Sequence, residues 1–285
     1  MPRCGNIQGD RVTISTVYSM ALALQLLISV YVIMASLMVF AWLASIKHNN
    51  AGFGDVAWSM GMGFSALFYG ASGDGSLWLR LLVALLGGVW AARLALHQLA
   101  RLLNEPESPR YREFRDRWGD SARYRFFFLF QVQALGASLC SMPFLMVAMY
   151  TQASPQWTTY LGVAIWLTAI AGETLSDFQL ARFRLRHGNR SKTCKNGLWR
   201  YSRHPNYFFE GLHWVAYVFL AYGMAFWWLT LTGPVVVLLL LCRVTGIPAV
   251  ERQALRSRGS DYEHYRNSTS MLVPWFPQRK SNRNT

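Results

Sequence analysis

The sequence predicts an all-α integral membrane bundle of seven transmembrane helices, with the N-terminus outside and the C-terminus cytoplasmic. Two observations carry this. Of 285 residues, 53% are hydrophobic and 15% charged, whereas ordinary soluble domains carry about 25% charged residues. The basic residues, moreover, are confined to alternate connections between the apolar runs, and Lys and Arg near span ends mark the cytoplasmic side.

The first run, 17–46, holds no charge until its end. At about 30 residues it exceeds the ~20 needed to cross a bilayer, so it is tilted or extends beyond the membrane, and it is too long for the core of a signal peptide. Further spans are expected at 55–71, 77–99, 126–150, 157–182, 206–222 and 226–247. The third connection carries Arg110, Arg112, Arg115, Arg117, Arg123 and Arg125. The fifth carries Arg184, Arg186, Arg190, Lys192, Lys195, Arg200 and Arg203, and the tail has Arg252, Arg256, Arg258, Arg266, Arg279, Lys280 and Arg283. Connections 72–76 and 151–156 and the turn at Gly223 have none. The net charge of +14 therefore reflects topology and attraction to anionic lipid rather than a separable nucleic-acid domain. Its sharper alternative is a polyanionic cofactor such as a dinucleotide, because guanidinium forks match phosphate oxygens.

An ionisable side chain at the centre of a span costs about 2.5 to 3.5 kcal/mol on insertion scales, so each one retained needs a partner or a purpose. Asp55, Arg93, His97, Glu173, Asp177, Glu210 and His213 are such residues. Trp90, Arg93, His97 and Arg101 share one helical face, as do Glu173, Asp177 and Arg184. Buried structural pairs, Arg93 with Asp55 for example, are one reading. A water-accessible cavity in the cytoplasmic half is the preferred one.

The most informative stretch is Gly197-Leu-Trp-Arg-Tyr-Ser-Arg-His-Pro-Asn-Tyr-Phe-Phe-Glu210, a basic, aromatic loop running into an apolar helix. Pro205 suits the first helical turn, where its missing N–H costs nothing. Asn206, Glu210 and His213 then recur at i, i+4 and i+7, on one face. Trp199, Tyr201 and Tyr207 are interleaved with the basic residues, which suits a nucleotide better than a purely lipid-facing loop.

Other features carry no chemistry. Cys4, Cys140, Cys194 and Cys242 lack ligand spacing, so neither a metal site nor a disulfide framework is indicated. Gly61-Met-Gly-Phe-Ser-Ala66 has a dinucleotide-like glycine pattern but lies inside an apolar span with no strand before it. Close helix packing explains it. Asn189-Arg-Ser191 and Asn267-Ser-Thr269 match the glycosylation pattern but face the cytoplasm on this topology. The polar residues 278–285 are expected to be disordered.

Asp177, Phe183-Arg184, the 197–210 stretch, Glu251 and Tyr262-x-x-Tyr265 leading to Val273-Pro-Trp-Phe276 resemble the C-terminal half of the steroid 5-alpha-reductase family. Across the N-terminal half the resemblance rests on Asp55-Val-Ala-Trp58, Trp90-x-x-Arg93 and Arg110-Tyr-Arg-Glu-Phe-Arg-Asp-Arg-Trp-Gly119. It implies one membrane-embedded reductase domain over 1–285, with substrate-side helices over 17–150 and an NADPH-binding half over 157–277. Carried over, Asp177, Arg184, Asn206, Glu210, His213 and a residue between Glu251 and Leu255 match cofactor-binding positions. Lys192, Arg200, Tyr201, Arg203, His204 and Tyr207 complete the expected cofactor set. Trp90 stands where the animal enzymes have a substrate-binding tyrosine, Asp55 where they have a glutamate, and Phe209 where bacterial relatives usually have glycine.

The implied reaction is NADPH-dependent reduction of the 4,5 double bond of a 3-oxo-4-ene steroid or a similar lipophilic enone. Hydride delivery to the β-carbon develops charge on the carbonyl oxygen, and a donor aimed there stabilises it. Asp55, an acid in apolar surroundings, is the candidate donor, with Trp90 as a second, and Asp55, Trp58, Trp90 and Arg93 are the expected substrate contacts. Membrane lipid is the other expected partner, and no obligate protein partner is indicated. Arg203-His-Pro-x-Tyr207 followed by an acid also resembles the isoprenylcysteine and phospholipid methyltransferases, which use S-adenosylmethionine. Asp177 and Arg184 ahead of the shared motif, and the basic tail after it, favour the reductase. A transporter or sterol-binding protein is disfavoured by the absence of internal symmetry or paired discontinuous helices. The lack of a cleavable signal and of lumenal disulfides favours a bacterial inner membrane over the endoplasmic reticulum.

Overall fold

The structure is a computed structural model that describes residues 7–186, 188–189, 192–244 and 246–277. Cys4, Arg190, Ser191, Arg279, Lys280, Arg283 and the tail expected to be disordered lie outside the described residues. The described chain is helical: α1 (Ile7–His48), α2 (Gly52–Ser72), α3 (Leu77–Asn104), α4 (Pro109–Trp118), α5 (Ala122–Cys140), α6 (Met142–Met149), α7 (Trp157–Leu185), α8 (Pro205–Leu220), α9 (Thr232–Leu239), α10 (Ile247–Arg258) and α11 (Ser260–Ser268). There is no strand among the described residues, and Ser202 and Ser270 form an isolated parallel bridge.

Every segment expected to span is helical, but two are broken. The fourth divides at Ser141, where Pro143 in the first turn of α6 has no N–H to continue the ladder of α5. The seventh is assembled from a 3-10 turn, α9 and a π turn over Leu240–Val244. Five segments are long and apolar enough to cross a membrane: Tyr18–His48, Leu77–Asn104, Pro109–Met149, Trp157–Leu185 and Trp227–Arg258. α2 and α8 are not among them. α8 has 16 residues and carries Asn206, Glu210 and His213, and α2 is diluted by glycine, serine and Asp55.

The chain divides into two compact units, Met1–Pro155 with Ala221–Thr232, and Gln156–Leu220 with Gly233–Thr285. In the first, α2 packs mainly on α3 and on α1, and α1 also lies along α5. The glycines of α2 make the approach possible. A Cβ on Gly61 would stand 2.3 Å from the Met34 sulfur, and one on Gly63 2.9 Å from the Ala91 methyl, as helix packing by small residues requires. Large apolar side chains such as Leu81, Leu85 and Phe128 point outward, more than 60% exposed, which suits a lipid-facing surface.

In the second unit α7 and α8 form an antiparallel hairpin. Phe209, the departure from glycine, lies against Gly172, where an added Cβ would come within 2.4 Å of its ring. A glycine on α7 thus makes room for the aromatic ring on α8.

Candidate functional site

The α7–α8 hairpin carries the polar face foreseen in the sequence. Asn206 opens α8 behind Pro205, its Oδ1 accepting the Tyr207 N–H at 3.1 Å. Its amide donates to Asp177 Oδ1 on α7 at 3.3 Å. One turn on, Glu210 is 8% exposed and accepts the Trp214 indole N–H at 3.1 Å. His213 is wholly buried, its ring edge-on to Trp214 and Tyr217. Glu173 is also buried on α7, while Asp177 and Asn206 are partly open and Arg184, two turns beyond Asp177, is exposed.

The preceding loop is built differently. Gly197 has φ +61°, and the Gln179 amide occupies the place a Cβ would take, so only glycine fits there. Gln179 then accepts the Leu198 N–H at 2.9 Å, and the Trp199 indole donates to the Ser176 carbonyl at 2.9 Å. From the other side the C-terminal segment straps the loop. The Tyr265 hydroxyl donates to the carbonyls of Trp199 and Ser202, Ser202 Oγ donates to the Leu272 carbonyl, and the Trp275 N–H donates to the Tyr201 carbonyl. Burial raises the pKa of both Tyr262 and Tyr265, so these phenols stay neutral, and Tyr265 holds the strap as a donor. Asp261 at the start of α11 accepts from the Thr193 N–H at 2.7 Å and from Lys195 Nζ at 2.5 Å. Burial works against its charge, but these bonds prevail and hold the carboxyl at about 2.

Arg203 and His204, expected at a cofactor, sit inside this construction. Arg203 Nε pairs with Glu251 at 2.8 Å, and its Nη1 donates to the carbonyls of Arg266 at 2.6 Å and Thr269 at 3.2 Å. His204 is 3% exposed, contacts Glu251 at 3.3 Å and stacks on Tyr207. Leu255 packs beside Ala254, Tyr262 and Tyr265. Tyr201 turns its ring onto Phe276. Lys192 and Arg200 are exposed. Thus Arg203, His204, Glu251 and Leu255 join α10, α11 and the loop, whereas Arg184, Lys192 and Arg200 are exposed. Cys194 is buried, and burial raises its thiol pKa, so it is inert.

In the first unit the expected acid has partners the sequence did not reveal. Asp55 Oδ1 accepts from Arg110 Nη2 at 3.1 Å and from the Tyr111 hydroxyl at 2.6 Å. Gln133 reaches the same hydroxyl at 3.4 Å. Arg110 and Tyr111 thus both converge on one oxygen of the carboxyl expected to act as the donor. Arg110 and Tyr111 belonged to the basic third connection, where charge counting read them as topology. The signal was the aromatic α4 itself, which must bury Tyr111 somewhere. Trp90 is wholly buried, edge-on to Trp58 and Phe144, so it is part of the packing of its unit. Arg93 and His97 are partly buried on α3. Among the described residues no group of His, Cys, Asp and Glu is placed to hold a metal ion.

A family profile matches residues 41–269, from within α1 through α11 and across both units. The chain belongs to the DUF1295 family. That family is described as a protein of unknown function. No curated protein and no solved structure matches the chain. The DUF1295 match takes in Asp55, the α7–α8 hairpin and the 197–204 loop, and stops before the strap residues 270–277.

Proposed function

We propose that this DUF1295 protein is an NADPH-dependent membrane reductase that saturates the double bond of a lipophilic enone, such as a 3-oxo-4-ene steroid. The observation that carries the reading is the Asn206–Asp177 contact. Two positions matched to cofactor binding, 29 residues apart in sequence, meet on an otherwise apolar hairpin, with Glu210 one turn away. Buried polar groups are costly unless paired or used, and a carboxamide and ribose hydroxyls supply the donors and acceptors that this set complements.

The donor set fits the cofactor in two parts. Asp177, Asn206 and Glu210 would hold its uncharged end by hydrogen bonds, and exposed Arg184, Lys192 and Arg200 its phosphates. Arg203 takes no part, because its Nε and Nη1 are spent on Glu251 and two backbone carbonyls. When bound, NADPH supplies the hydride that, with one proton from solvent or a side chain, converts the enone to a saturated ketone. Asp55, in contact with Arg110, accepts the Tyr111 hydroxyl hydrogen bond and orients that ring. Asp55 is the candidate donor to the developing enolate, with the Trp90 indole as a second. Under this reading α2 and α8 complete seven spans, the N-terminus lies outside, and the membrane is a bacterial inner membrane.

Binding and turnover test it together. The purified chain in detergent is expected to bind NADPH more tightly than NADH and to consume it stoichiometrically when a 3-keto-4-ene steroid is added. Equal affinity for the two nucleotides removes the role given to the basic side chains. Micromolar binding of S-adenosylmethionine without NADPH binding replaces the reductase with a methyltransferase.

A further inference from the structure

The strap and the loop border an open pocket of about 460 Å³, lined by Lys195, Asn196, Gly197 and Arg200 from the loop and by Ser268 and Thr269 among the C-terminal residues. Of the residues expected at the cofactor, Arg200 lines it, whereas Asp177, Arg184, Asn206, Glu210, His213 and the 251–255 segment do not.

Its cations have capacity to spare. An ammonium offers three donors and a guanidinium five. Lys195 uses one on Asp261, and Arg200 is exposed and has no hydrogen-bond partner among the described residues, only the edge of a contact with the Tyr201 ring at 6.0 Å. Asn196 is exposed beside them. The one carboxylate that reaches a pocket residue, Asp261, is already shared between Lys195 and the Thr193 N–H. The loop that bears these donors is held in place. Gly197 is pinned by Gln179, and Tyr265 props the carbonyls of Trp199 and Ser202, so the backbone bearing them needs little further ordering on binding. The volume lies within the ordinary range of small-molecule sites, roughly 300 to 1,000 Å³. That is ample for a phosphate together with the group that bears it.

We infer that this pocket binds a phosphate monoester, presented by a nucleotide or by a lipid headgroup at the membrane surface. A monoester is close to a dianion at neutral pH and has three terminal oxygens to match a fork and an ammonium. If the nucleotide is the source, the inference rests on the proposed function and assigns to Lys195 and Arg200 the contact that separates NADPH from NADH. If the lipid is the source, it stands without it.

The test uses the full chain in detergent, titrated with adenosine 2′-monophosphate against adenosine. In parallel, the chain is reconstituted in phosphatidylcholine nanodiscs with and without phosphatidate. One arm or the other is expected to show binding or a raised Tm that Arg200→Gln weakens about tenfold and Arg200→Gln with Lys195→Gln abolishes. Binding of adenosine 2′-monophosphate identifies the nucleotide, and stabilisation by phosphatidate identifies the lipid. Arg200→Gln breaks no internal hydrogen bond, so it remains informative if Lys195→Gln loosens the strap. The inference is overturned if neither monoester is preferred over its control, or if both variants bind as the unaltered chain does. Charge-dependent monoester binding by a chain that fails to bind NADPH sinks the reductase reading alone.

Discussion

The two halves of the 197–213 stretch look alike in sequence and do opposite things. In 197–204 Arg203 and His204 point inward, both reaching Glu251, and Arg203 also reaches the carbonyls at the C-terminal end of α11. From 205 onward Asn206, Glu210 and His213 form a stripe on α8 that faces α7, where Asp177 and Glu173 wait. The first half is a fastening, and the second carries the polar stripe proposed as the site. Residue type does not distinguish them. What does is whether a backbone carbonyl or carboxylate from elsewhere in the chain already uses the polar atoms.

The sharpest way to break this contrast is to open the fastening. Glu251→Ala leaves Arg203, 10% exposed, without its carboxylate in a buried setting, and losing one partner of such a pair costs about 3 to 5 kcal/mol. Expression and Tm should fall steeply, and any folded fraction should retain its affinity for NADPH. A stable Glu251→Ala protein with weakened NADPH binding would return the loop to the cofactor.

The first unit offers the same contrast and a smaller expected effect. Glu107, 9% exposed, is closed by two hydrogen bonds from Arg115 and one from the Ala51 N–H. Asp55 is 37% exposed and leaves Oδ2 available. Asp55→Asn keeps the acceptor for Tyr111 but removes the charge opposite Arg110. If Asp55 orients the enone, kcat should fall by about 10²-fold with NADPH affinity unchanged. Full turnover with a lowered Tm would class Asp55 with Glu107 as structural.

On α8, Asn206→Ala and Glu210→Ala should each weaken NADPH binding about tenfold, which corresponds to roughly 1.4 kcal/mol. Asn206→Ala should leave Tm nearly unchanged, since its side chain is partly open. A loss of Tm without a change in NADPH affinity would show that the stripe, too, is a fastening.

How much of this was legible follows from the range of the interactions. Helix periodicity and the i, i+4, i+7 spacing are local, so every expected span is helical and the α8 face is as read. The breaks at Ser141 and in the seventh span were less legible, because an apolar run reads the same whether or not the ladder inside it is interrupted. The fate of Arg203 was invisible, since its partners lie 48 to 66 residues downstream. Likewise Asp55 meets Arg110 and Tyr111 across 55 and 56 residues, and charge counting had assigned that connection to topology. Tyr262-x-x-Tyr265 could be quoted as a motif but not understood until its second hydroxyl was found under the loop.

The smallest expected effect concerns the fastening at its exposed edge, where Lys195 and Asp261 meet. The Asp261 carboxyl is held at about 2 in the folded chain, below its ordinary value of 3.8. A carboxyl depressed by folding contributes stability that is fully present above the unfolded value and is lost as pH falls through the folded one. The strap should therefore be indifferent to pH above about 4 and loosen between there and about 2. Because the pair is 43% and 39% exposed, solvent screening keeps the contribution modest, and local opening rather than unfolding is expected. Hydrogen exchange over 260–277 reads it directly: exchange in the unaltered chain, corrected for its intrinsic pH dependence, should rise across that window. In Asp261→Asn it should start higher and show no step. A step of equal size in the Asn variant would place the titrating group elsewhere in the strap, with Glu251 at its buried end as the remaining carboxylate bonded to the loop.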